Sequence, residues 1–218
     1  MQAIRRSELL LATVLAGLAG FVDAVGFVHL GGYFLSFMSG NTTRFAAEAA
    51  HTDWVAVGKA GGIIGCFFVG VMIGAVVARA EHARPLLLSA ISTSLLCAAL
   101  VGSVGAGTAA MLILAVTMGA MNSVFQRNGE VSVGLTYMTG TLVKAGQRLV
   151  DALCGGPRWL WLRYLSLWLS LAVGAVLGAL TYRWLELAAI WVAFGLAVAV
   201  TVVVEIVRRR RLSRAARQ

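Results

Sequence analysis

Six apolar stretches, at roughly 9–29, 54–78, 86–106, 108–126, 159–182 and 186–207, take up most of this 218-residue chain. Each holds about the 20 residues that a helix needs to cross a hydrocarbon core. That alone predicts an all-α integral membrane protein with six transmembrane helices, forming a single membrane domain over 1–218. Composition agrees: 60% of the residues are apolar and 12% charged, with a mean hydropathy of +0.87, outside the soluble range. Turn signals fill the links, at Glu81-His82-Ala83-Arg84-Pro85, Gly102 to Gly107 and Gly155-Gly156-Pro157. Trp54, Trp159, Trp161, Tyr182 and Trp184 fall near span ends, at headgroup level.

The net charge of +9 does not point to nucleic acid, because much of it sits in Arg208 to Arg211 with Arg214 and Arg217, a basic tail directly after the last apolar stretch. Such a cluster holds a tail on the cytoplasmic side against anionic headgroups. With the N-terminus inside, the inner face also receives Arg5, Arg6, Arg79, Arg84, Arg127, Lys144, Arg148 and Arg158, while the outer face receives little beyond Arg44 and Arg183. Both termini are therefore expected in the cytoplasm. Arg5-Arg6 before Leu9 loosely matches an export signal, but the spans that follow favour a start-transfer first helix. Glu205 is expected to pair with Arg208 or Arg209 one turn on.

Two polar interruptions break the apolar pattern about a hundred residues apart: Phe37-Met38-Ser39-Gly40-Asn41-Thr42-Thr43-Arg44 and Tyr137-Met138-Thr139-Gly140-Thr141-Leu142-Val143-Lys144. They share an aromatic, a Met, a hydroxyl residue, a Gly and a cation four positions after the Gly. A second match, Gly70-x-x-x-Gly74-Ala75 ending in Arg79 against Gly174-x-x-x-Gly178-Ala179 ending in Arg183, lies at an offset of about 104. Small residues four apart let another backbone pack closely, and the agreement of two copies indicates an internal repeat. The repeats run from about 8–106 and 108–207, with a tail at 208–218. Three spans per copy is odd, so the second copy enters from the opposite side, a 3+3 inverted repeat of the kind that places solute sites at the repeat interface. Counting 31–50 and 131–151 as full spans gives eight helices instead. Six are preferred because those segments carry polar and charged residues that are costly against lipid.

After each polar break a short helix is expected, from Asn41 to about Ala50 and from Thr141 to about Leu153. Ser39, Asn41 and Thr42, or Thr139 and Thr141, would cap it. Gly40 and Gly140 would supply the tight or left-handed backbone. Such a helix start presents N–H donors and a positive dipole end inside the membrane. Ser39, Gly40, Asn41, Thr42, Thr43 and Arg44, with Thr139, Gly140, Thr141 and Lys144, are thus candidate solute-binding residues. The alternative is a self-capped turn in which Arg44 pairs with Glu48.

Asp23 lies inside the first span among Ala16, Ala19, Gly20 and Gly26. A carboxylate at that depth costs roughly 2.5–3.5 kcal/mol on insertion scales and must meet protein, water or a partner. It either takes up a proton or cation that couples transport, or anchors the Ser39–Thr43 break. Its counterpart is Asn122, with Gln126 one turn further, and all three join the candidate site. His29, His51 and His82 fall at interfaces or loops without metal-ligand spacing, and Cys66, Cys97 and Cys154 suggest neither a disulfide framework nor a metal site. No metal, cofactor or catalytic residue is expected. Ser39 in Met-Ser-Gly-Asn loosely resembles an intramembrane protease serine, but no histidine base lies at that depth.

Gly20-Phe21-Val22-Asp23-Ala24, the Phe37–Thr43 break, Asn122 and Tyr137-Met138-Thr139-Gly140-Thr141-Leu142 together resemble the YoaK family of bacterial membrane proteins, over essentially the whole chain. The resemblance implies a bacterial inner-membrane protein of about six spans and brings no substrate with it. A transporter or channel for a small polar or anionic solute is the leading expectation, with a non-transporting scaffold second and a membrane-embedded enzyme third. The small-residue faces also suit a homodimer as well as intramolecular packing.

Overall fold

A computed structural model describes residues 6–127, 130–131 and 134–215. Arg5 and Arg217, which the sequence assigns to the inner face, lie outside the described residues, as do the side chains of Arg6, Arg127, Arg211 and Arg214. The helices run α1 Arg6–Leu30, α2 Met38–Ala50, α3 Trp54–Val77, α4 Ala83–Ser103 and α5 Gly107–Met121, the last continuing as a 3₁₀ turn over Asn122–Phe125. Two-residue strands β1 Gln126–Arg127 and β2 Glu130–Val131 pair antiparallel, Gln126 opposite Val131. Then follow α6 Met138–Leu153, α7 Leu160–Leu185 and, after a 3₁₀ turn at Glu186–Ala188, α8 Ala189–Ala215.

Five segments among the described residues are long and apolar enough to cross a membrane: Glu8–Leu30, Trp54–Val77, Ala83–Ser103, Gly107–Phe125 and Leu160–Arg210. The sequence divides the last of these at 183–185. Its apolar character is continuous, and the chain reverses instead at Glu186, a non-glycine residue in the left-handed region at φ 48°. At 1.5 Å per residue, α2 and α6 with 13 and 16 residues reach only about 20 and 24 Å. Neither spans a core of about 30 Å, so the eight-span count does not hold for them.

The long helices pack in crossed pairs, α1 along α7 and α3 along α5, while α2 rests on α3 and α6 on α7. Glycine lets the crossed pairs approach to backbone contact. Gly70 lies against the Val116 carbonyl and Gly74 against Ala120; likewise Gly174 lies against the Gly17 carbonyl and Gly178 against Phe21. From the other side, Gly20 meets the Leu171 carbonyl and Gly119 meets the Phe67 carbonyl. A methyl group at any of these glycines would overlap main-chain atoms that cannot swing aside. The Gly-x-x-x-Gly faces therefore do the close packing the sequence expects of them.

Hydroxyl pairs join the remaining contacts at depth. Ser94 meets Thr117 at 2.6 Å between α4 and α5, and Ser92 meets Thr201 at 3.1 Å between α4 and α8. One apolar core runs through α1, α4, α5 and α8 with Leu35 and Leu135 of the two loops buried in it. An apolar crevice lies between α1, α5 and α8, lined by Phe21, Val22, Val25, Leu114, Ile190 and Ala193. Outward-facing Trp54, Trp159 and Trp184 mark helix ends, and Glu205 pairs with both Arg208 and Arg209 at 2.8 Å.

Candidate functional site

The first polar node begins where α1 ends. Gly31 and Gly32, at φ 71° and 95°, turn the chain back on itself, and their N–H groups close the last α1 carbonyls at Val28 and Phe27. These two glycines supply the left-handed turn that the sequence assigns to Gly40. Gly40 instead lies within the first turn of α2, where the rings of Phe37 and Phe34 close over it. Gly140 likewise sits inside the first turn of α6, with open space where a side chain would stand.

From that turn the loop descends beside α1. Leu35 fills the gap left by Gly26, and Asp23, about 10 Å below Leu30 along the helix, receives the loop. Its Oδ1 accepts the N–H groups of Leu35 and Ser36, both at 2.7 Å. Asn41, fully buried, completes the closure: its Oδ1 accepts the Phe34 N–H at 3.0 Å and its Nδ2 donates to the Phe34 carbonyl at 2.6 Å. Irregular backbone at membrane depth has no water to pair with, and every N–H and C=O left open costs several kcal/mol. Two side chains here satisfy three consecutive loop residues. Asp23 therefore anchors Leu35 and Ser36, and Asn41 anchors Phe34, a few positions before the 39–43 segment that the sequence proposes for Asp23.

α2 itself starts three residues earlier than the sequence indicates, and no side chain caps its first turn. Thr42 and Thr43 donate back to the carbonyls of Met38 and Ser39, and with Ser39 they face outward. Arg44 turns toward the end of α1. Its Nη1 donates to the carbonyls of Gly32 at 2.6 Å and Gly31 at 3.2 Å, its Nη2 pairs with Glu48 at 3.4 Å, and its guanidinium stacks 4.1 Å over the Tyr33 ring. Lys59, on α3, joins it from the other side, donating to the Leu30 carbonyl at 2.7 Å and lying 4.8 Å from the same ring. Two cations thus hold the negative end of the α1 dipole. Lys59 escapes the sequence reading, although a lysine six residues into an apolar run is the signal that would find it.

The second node repeats this plan with weaker chemistry. Asn122, at the end of α5, accepts the Thr136 hydroxyl at 3.1 Å and donates to the Met118 carbonyl at 3.1 Å. It stands 99 residues after Asp23, as Gly119 stands after Gly20, and Thr136 stands a hundred after Ser36. Gln126 is half-buried in β1. α6 begins at Met138, also uncapped by a side chain; the Thr141 hydroxyl donates to the Tyr137 carbonyl at 3.2 Å. Thr139 and Lys144 face outward, and no ion pair holds Lys144 among the described residues. The candidate residues gather in two nodes, one per half. No hydrogen bond or ion pair among the described residues joins residues 39–44 to 139–144.

One cross-link between the halves is absent from the sequence reading. His29 Nδ1 and the Tyr182 hydroxyl stand 2.9 Å apart, tying α1 to α7.

A protein family described only as of unknown function, DUF1275, matches residues 11–203. The chain belongs to it. A curated relative, UPF0700 transmembrane protein RA0705 of Rhizobium meliloti, is 35% identical over 190 residues, covering 86% of this chain and 83% of the relative. No solved structure matches. The resemblance to the YoaK proteins rests on this same family, and with the apolar helices it makes the chain a member of a membrane-protein family whose activity is open.

Proposed function

We propose that this DUF1275 protein is a transporter or channel for a small polar or anionic solute, built as an inverted repeat of three spans and three spans. The last apolar segment contains two helices, α7 and α8, of 26 and 27 residues; each is long enough to cross, which makes six crossings. Both termini then lie in the cytoplasm of a bacterial inner membrane. The observation that carries the reading is the correspondence of helix contacts between the halves. Gly20 on Leu171 matches Gly119 on Phe67, and Gly70 on Val116 matches Gly174 on Gly17. Halves that exchange helices around equivalent glycines, each with a polar re-entrant break, belong to the architecture in which one half rocks against the other. The reading assigns no enzymatic reaction.

Ser39, Thr42, Thr43 and Thr139, outward polar groups of the two breaks, are the residues a solute would meet. Asp23 and Asn41 would hold the first break in shape rather than touch the solute. A second reading, a scaffold whose polar groups only fix helix register, draws on that same commitment of Asp23 and Asn41 to backbone and on the apolar lining of the α1–α5–α8 crevice.

Flux from proteoliposomes separates the two. Panels of inorganic anions, organic acids and small neutral solutes are tested with and without a pH gradient. Movement of one class, reduced in Thr42→Val/Thr43→Val, is the expected result. No movement across the panel leaves the scaffold. Asp23→Asn that folds and retains flux but loses its pH dependence would give Asp23 a coupling role; unchanged flux would confine it to anchoring.

A further inference from the structure

The two short helices handle their matched cations in opposite ways. Arg44 is bound to two carbonyls, Glu48 and Tyr33, whereas Lys144 points outward with no ion pair among the described residues. Arg158 and Arg163, at the start of α7 against which α6 packs, also point outward without an acidic partner among the described residues. Arg148 alone on this hairpin is neutralised, by Asp151 at 2.8 Å. Trp159, next to Arg158 in the chain, also faces outward.

Depth sets what these groups meet. Asn122 lies 15 residues after Gly107, about 22 Å along a helix, and a hydrocarbon core is about 30 Å thick. The Asn122–Thr136 bond therefore holds the start of α6 roughly three-quarters of the way across. Arg84 joins Phe125, just past α5, to Glu8 at the start of α1, and Ser170 of α7 meets Thr13 of α1. α6 therefore leads toward the surface where α1 and α7 both start. Lys144, six residues along it, is about 9 Å nearer that surface, at headgroup level. Outward-facing Trp159 marks the same level.

We propose that the α6–α7 hairpin is a docking surface for anionic phospholipid headgroups, through Lys144, Arg158 and Arg163. This surface is distinct from the basic tail at Arg208–Arg211 and does not depend on the solute reading above. A cation near an anionic membrane surface contributes about fivefold in affinity, so three together contribute on the order of a hundredfold.

The test is lipid retention by the full chain in neutral detergent, read by native mass spectrometry with added phosphatidylglycerol or phosphatidylcholine. Wild type is expected to retain phosphatidylglycerol preferentially. Lys144→Gln/Arg158→Gln/Arg163→Gln should lose most of that preference, and Arg209→Gln/Arg210→Gln should keep most of it. Equal retention of both lipids by wild type, or full preference in the triple variant, overturns the proposal, as does loss confined to the tail variant. Thermal unfolding in detergent alone checks the fold of each variant. If the triple variant does not fold, Lys144→Gln alone should lower the preference about fivefold, and no change there is equally decisive.

Discussion

Replacing Asp23 by alanine isolates the anchoring of the first break. One carboxylate oxygen accepts two backbone N–H groups at 2.7 Å, and hydrogen bonds to a charged group contribute about 1.5–3 kcal/mol each. Because α1 stays in the bilayer whether or not the helices are packed, the cost of inserting the charge cancels. The loss should therefore be about 3–6 kcal/mol, toward the lower end where water reaches the opened loop. Asp23→Asn keeps an acceptor oxygen at the same place, and neutral bonds are roughly half as strong as charge-assisted ones, so it should cost about 1–3 kcal/mol. The assay is reversible unfolding in mixed micelles titrated with a denaturing detergent, comparing both variants with wild type. An alanine variant within about 0.5 kcal/mol of wild type would mean that the Leu35 and Ser36 amides find other partners. An asparagine variant as damaged as the alanine one would mean that the charge, not the acceptor geometry, is what the loop requires.

Asn41→Leu keeps the branching of the side chain but leaves the Phe34 N–H and carbonyl without their partner, so the same titration should show a loss of about 2–4 kcal/mol. Glycines should divide sharply by position. Gly119→Ala drives a methyl into the Phe67 carbonyl and should prevent stable packing of α3 on α5, whereas Gly146→Ala, with open space around it, should gain about 0.5–1 kcal/mol from helix propensity. Equal behaviour of the two in a thermal melt would show that the backbone contact at Gly119 carries no weight.

Much of the architecture is legible in residue order because the bilayer is an unforgiving solvent. A run of about 20 apolar residues admits almost no structure except a helix, and a Gly-x-x-x-Gly face admits little except another backbone. The reversal at Glu186 is read only to within a few residues, at 183–185, because the apolar character continues on both sides of it. Local chemistry at the breaks is misread for a related reason. Gly40 looks like the hinge because it sits in the polar motif, while the positive-φ positions are Gly31 and Gly32, where the chain must reverse at the end of α1. Capping by Ser39 or Asn41 looks natural from residue type, yet Asn41 is drawn away by the Phe34 backbone.

Residue order by itself determined the membrane class, the family, the two matched breaks and the isolation of Asp23 in an apolar helix. Tertiary structure alone decided what Asp23 holds. Its partners are the N–H groups of Leu35 and Ser36, and a backbone amide is the same in every residue but proline, so no sequence pattern can name it. The difference between Arg44 and Lys144 was decided in the same way: equivalent in the repeat, one is bound to the carbonyls of Gly31 and Gly32 at the end of α1 and the other faces outward, because contacts to backbone carbonyls are made by the fold and not by residue type.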